Sequence, residues 1–229
     1  MIGGLLVAKA KQQNYLHGAA IMTAGVIIMK ILGALYKIPL GNMLGDDGYG
    51  LFLQAYYVYS LFLTLATAGF PVALSRMISA AQTRGLQMQA RRTYRVAWWT
   101  FFVLGAVCST IMFVFPDWLA STLINSPDAA FSIQALAPAV LLCCVTATYR
   151  GLTQGYGNMT PTTISQILEV LAKVAAGLAL AAYLIKAGYD KPVAVAGAIF
   201  GVTVGSLAAL LYMLISVSYT HLTLPTIRL

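Results

Sequence analysis

Six apolar runs follow one another along the chain, at 18–40, 51–74, 96–115, 131–149, 164–185 and 193–215. Each is close to the ~20 residues that an α-helix needs to cross the hydrocarbon core of a bilayer. The segments between them, 41–50, 75–95, 116–130, 150–163 and 186–192, are short and carry turn chemistry. The pattern predicts an all-α integral membrane protein. About six transmembrane helices would form one lobe over 1–216, with no room for a soluble domain.

Polar residues inside the runs change this picture most. Lys30 falls near the middle of the first run and Lys37 toward its outer end. Seven residues apart, they share nearly one helix face. An ammonium at the bilayer centre costs roughly 2.5–3.5 kcal/mol on insertion scales, so Lys30 is expected to face a cavity. Lys37 has two readings, a side chain snorkelling to the outer interface or a second cavity cation. Such a pair suits a polyanion such as a diphosphate, because charges attract strongly where water is scarce.

In the fifth run Gln166, Glu169 and Lys173 fall at i, i+3 and i+7, one stripe of a helix. Glu169 and Lys173 stand in the favourable i, i+4 order and are expected to pair. The pair reads either as a structural lock or as a gating or ion-coupling site, since intramembrane carboxylates bind protons or cations in transporters.

Composition excludes a water-soluble globule: 60% of residues are apolar and 9% charged. The net charge of +8 does not imply nucleic acid, because the basic residues flank apolar runs. With the N-terminus inside, the cytoplasmic side carries eight of them: Lys9, Lys11, Arg76, Arg84, Arg91, Arg92, Arg95 and Arg150. The outer side carries two, Lys186 and Lys191, together with Asp46, Asp47, Asp117, Asp128 and Asp190. That bias predicts a multi-pass protein of the cell membrane with a cytoplasmic N-terminus. The arginines of 75–95 either fix orientation or attract anionic lipid or a lipid diphosphate. Arg76 and Arg150 are the cytoplasmic basic residues of interest. Gly151, Gly155 and Gly157 follow Arg150 and would let another segment approach closely. Trp98 and Trp99 suit one interface and Trp118 the other.

No constellation for catalysis, cofactor or metal emerges. His17 stands alone at a membrane edge, and Cys108, Cys143 and Cys144 lack metal-ligand spacing. No nucleotide-binding fingerprint appears, so no enzyme is expected. Lys9 and Lys11 before an apolar run superficially resemble a signal peptide, but the run's length and its lysines predict an uncleaved first span. The segment from Val217 to Thr226 is what a sequencing-library adapter, GTC TCT TAT ACA CAT CTG ACG CTG CCG ACG, would encode. A non-native tail is therefore expected at 217–229, and His221 and Arg228 carry no functional argument.

Three stretches bear a family resemblance: Lys30-Ile-Leu-Gly-Ala-Leu-Tyr-Lys-Ile-Pro-Leu, Leu44-Gly-Asp-Asp-Gly-Tyr-Gly-Leu, and Ser60 through Arg76. They resemble the first two helices of SpoVB-like polysaccharide biosynthesis proteins, MurJ-related members of the multidrug/oligosaccharidyl-lipid/polysaccharide exporter superfamily. The stretch from Tyr149 to Glu169 is similar to that family's fourth-to-fifth helix junction. The resemblance implies two pseudo-symmetric helical lobes around a V-shaped cavity, of which this chain is the N-terminal one, completed by a C-terminal lobe. It implies flipping of undecaprenyl-diphosphate-linked saccharides by alternating access, with membrane lipids and the lipid-linked oligosaccharide as partners. Lys30 and Lys37 are similar in placement to cavity cations on the first helix of MurJ relatives. The alternatives are a cation-coupled multidrug exporter of the same superfamily and a non-transporting membrane assembly protein.

Overall fold

The computed structural model describes the backbone of residues 2–67 and 69–223, with side chains described for 18, 20–67 and 69–218. Lys9, Lys11, His17 and most of the expected foreign tail therefore lie outside the described side chains. Helix α1 (Ile2–Thr67) is followed by α2 (Phe70–Thr83), α3 (Gln87–Val114) and α4 (Pro116–Ile124). A 3₁₀ turn (Pro127–Ala129) then leads to α5 (Ala130–Gly155), α6 (Thr160–Lys186) and α7 (Lys191–Thr223). Among the described residues five helical stretches are long and apolar enough to cross a membrane, and the first, Ala20–Thr83, has the length for more than one crossing.

The first two apolar runs are joined differently from the expected loop at 41–50. Helix α1 continues through that segment and breaks at one residue, Gly45, with φ 68° and ψ 176°. Only glycine reaches this region without strain, so one residue does the work of a loop. Asp46 and Asp47 then open the second half of α1, where the helix dipole favours negative charge. The halves fold against each other: the Tyr36 ring meets Phe52 edge-on with centroids 6.3 Å apart.

The segment 75–95 is likewise helical rather than a long loop. Gly69, with φ 73°, starts α2, and Pro71 stands in its first turn. Leu74, Ile78 and Ala81 recur at helical spacing and are buried, while Arg76 and Arg84 are exposed. This amphipathic helix lies on α5 and α3. The chain turns at 84–86, and Arg91, Arg92 and Arg95 ride on the first turns of α3. The segment 116–130 also holds structure, because Leu119 and Ala120 of α4 are buried.

Helix α7 is the centre of the packing, against α6 on one side and α5 on the other. Its Gly197, Gly201 and Gly205 repeat at i, i+4 and i+8, the small-residue spacing that lets membrane helices approach. A Cβ on Gly201 would stand 2.6 Å from the Cα of Gly177 on α6. At the other face of α5, Gly155 meets Ile78 of α2, where an added Cβ would come within 2.8 Å. Gly151 makes a similar approach to Leu74 and Pro71, whereas Gly157 serves a turn at φ 79°.

Candidate functional site

The bend at Gly45 turns two stretches of α1 toward each other and leaves a cavity of about 450 Å³ between them. One wall comes from the first half of α1. Residues 27, 31, 35 and 38 expose isoleucine or leucine side chains on one stripe. Lys30, Gly33, Ala34 and Lys37 make a different stripe, at i, i+3, i+4 and i+7, and line the cavity. Lys30 stands twelve residues after Gly18 and fifteen before Gly45, about 18 and 22 Å along the helix. It is thus far from either end of the span.

The facing wall is aromatic. Tyr49, Phe52 and Tyr56 climb the second half of α1 as a ladder, with stacked centroids 6.1 Å and 6.2 Å apart. Tyr57 and Leu53 join them in the lining. Tyr36 closes the floor: it is buried, and its hydroxyl donates to the Ala198 carbonyl of α7 at 3.5 Å. It passes Gly177 of α6, where any Cβ would collide with that hydroxyl at 2.7 Å. Helix α6 adds one charged side chain, Lys173. Three lysines from two helices therefore line one cavity whose other wall is aromatic.

Glu169 does not pair with Lys173 as its spacing suggests. Its carboxylate accepts from Arg150 Nη2 at 2.8 Å, across the junction of α5 and α6. Arg150 Nε donates to Ser165 Oγ at 3.0 Å, one helical turn before Glu169. A planar guanidinium can serve both partners at once, which a local i, i+4 ammonium cannot. Cys143 Sγ lies 3.2 Å from Ser206 Oγ and 3.4 Å from the Tyr59 hydroxyl. It also donates weakly toward Glu169 Oε1 at 3.9 Å. Polar groups from α1, α5, α6 and α7 thus meet around one carboxylate inside the bundle, so its burial is compensated.

Of the residues singled out by sequence, Lys30, Lys37 and Lys173 are brought together in the cavity lining, and Arg150 and Glu169 in the ion pair. Gln166 is half-buried on α6 and Arg76 is exposed on α2, and neither is in the lining. The aromatic wall was not singled out by sequence. Its signal is the spacing of Tyr49, Phe52 and Tyr56 at i, i+3 and i+7, which by itself reads as ordinary packing. The tie to Tyr59 and Ser206 had no sequence signal, because it depends on how three distant helices pack.

Three proteins of Bacillus subtilis (strain 168) are similar to this chain. Stage V sporulation protein B is 27% identical over 208 residues, covering 91% of this chain and 40% of that protein. Lipid II flippase MurJ is 29% identical over 167 residues, covering 69% of this chain and 31% of that protein. Uncharacterized membrane protein YabM is 30% identical over 203 residues, covering 86% and 36%. The chain thus spans between 31% and 40% of the length of these relatives. No solved structure matches it. The apolar helices and these relatives make it a multi-pass membrane protein. The model of the family described as polysaccharide biosynthesis protein matches residues 15–226, nearly the whole chain, and the chain belongs to that family.

Proposed function

We propose that this chain is the N-terminal lobe of a flippase that carries an undecaprenyl-diphosphate-linked saccharide, lipid II or a related wall precursor, across the cell membrane. The observation that carries the proposal is the convergence of lysines on one intramembrane cavity, with Lys30 and Lys37 on one helix face. Fixed positive charge in a water-poor site is costly unless an anion compensates it, and a diphosphate head supplies that anion. The similarity to a lipid II flippase supports the same substrate class. A C-terminal lobe would complete the cavity, and the two would rock to give alternating access. Glu169, gripped by Arg150 between α5 and α6, is the pair whose making and breaking would tune that motion.

A drug-exporter reading would use the aromatic wall for lipophilic cations. Among the described residues the cavity lining holds no carboxylate, however, and such a cation would meet three ammonium groups. The decisive experiment expresses the full-length protein in bacteria depleted of their own lipid II flippase. Wild type and Lys30→Ala are compared at matched membrane abundance. Rescue by wild type alone is the expected outcome. Equal rescue by both removes Lys30 from substrate binding, and rescue by neither, with normal insertion, removes lipid II as the cargo.

A further inference from the structure

The cavity holds a cation that forms no ion pair with its nearest carboxylate in sequence. Lys173 lies one turn beyond Glu169 on α6, in the order that favours a local ion pair. That carboxylate is occupied by Arg150 at 2.8 Å, and Lys173 forms no ion pair among the described residues. Helix α7 fixes this turn from behind. A Cβ on Gly205 would stand 3.0 Å from Lys173 Cβ, and one on Gly201 would stand 2.8 Å from the Lys173 carbonyl. The backbone carrying Lys173 therefore has little freedom, and its side chain joins the lysines of α1 in the cavity lining.

We infer that Lys173 is a third cationic ligand for the diphosphate, and that Arg150 is a positioning residue that keeps it available by sequestering Glu169. This rests on the reading of the cavity as a diphosphate site. Without Arg150, the Glu169 carboxylate turns to the ammonium four residues on. The cavity then loses one positive charge although no lining residue has changed. The arginine acts through the carboxylate and never touches the substrate.

The test measures binding of geranylgeranyl diphosphate, a short-chain prenyl diphosphate, to the purified full-length protein in detergent by titration calorimetry. Lys173→Gln is expected to weaken binding about tenfold, the scale of one lost charge-assisted contact. Lys173→Arg retains affinity, which a packing defect would not allow. Arg150→Gln weakens binding to a similar degree, and the double variant Arg150→Gln with Glu169→Gln recovers it. A purely structural role for Arg150 would still weaken binding in the Lys173→Gln background, where the positioning role has no ammonium left to keep available, so a further loss in the double variant Lys173→Gln with Arg150→Gln overturns the positioning role. Unchanged affinity in Lys173→Gln, with affinity lost in Lys30→Gln, overturns the third ligand and leaves the flippase reading standing. Absence of binding by wild type overturns both. Should Arg150→Gln fail to accumulate, the Lys173→Gln and Lys173→Arg comparison still decides whether the third cation binds.

Discussion

At the scale of single residues, the chain's only glutamate forms the ion pair that ties α5 to α6. Glu169 and Arg150 keep 23% and 17% of their side-chain surface open, so they are screened partly but not freely. Removing one partner of a buried pair costs about 3–5 kcal/mol, and this exposure puts Arg150→Ala toward the lower end. Arg150→Ala with Glu169→Ala should cost less than the sum of the two single changes, because the second change removes the stranded charge. Thermal unfolding in detergent of the four proteins checks this, and strict additivity would show that the contact carries no coupling. The presence of Lys30 in a cavity lining was legible in sequence because the cost of a mid-bilayer ammonium leaves few alternatives. Glu169's partner was not. Lys173 is near in sequence, whereas Arg150 becomes near only when α5 and α6 turn back on each other.

Helices depend on how closely their backbones approach, and here the glycines of α7 set the distance. On Gly201 a Cβ would collide with the backbone N and Cα of Gly177 at 2.5 Å and 2.6 Å, with no flexible side chain to yield. Gly201→Ala should therefore force α6 and α7 apart, at about 1–3 kcal/mol for an overpacked contact. Gly41 is also helical, but a Cβ there would meet nothing within 4 Å. Gly41→Ala should be neutral or stabilise by up to about 1 kcal/mol, through helix propensity alone. Melting temperatures in one detergent separate the cases, and equal shifts in the same direction would refute the close-packing account. The apolar runs marked out an all-helical membrane protein, because length and hydropathy are local properties, but the run at 51–74 crosses from the end of α1 at Thr67 into α2 at Phe70. They did not predict α2 and α4. With 14 and 9 residues both are too short to register as spans, and the apolar face of α2, Leu74, Ile78 and Ala81, is shorter still.

Across the whole molecule, the turns separate into two ends. The junction of α5 and α6 lies beside α2, since Gly155 meets Ser75 and Ile78, and Gly18 of α1 comes to Met159 at the same end. The far end gathers the bend at Gly45, the 3₁₀ turn and the turn between α6 and α7. There Lys191 reaches Asp47 at 3.8 Å, an exposed contact of little energetic weight that nonetheless fixes neighbourhood. Helix α3, with 28 residues, spans about 42 Å between the ends. Arginines crowd the first end and aspartates the second, and by the positive-inside rule this asymmetry predicts a cytoplasmic first end. A thiol at the exposed turn residue Arg84, as Arg84→Cys, should stay unlabelled by an impermeant maleimide in intact cells and react once the membrane is opened. Asp128→Cys, exposed on the 3₁₀ turn, should react in intact cells. Cys108, Cys143 and Cys144 lie within helices α3 and α5 and should add little background. The reverse labelling would invert the topology and put Lys37, rather than Lys30, nearer the side from which a cytoplasmic precursor enters.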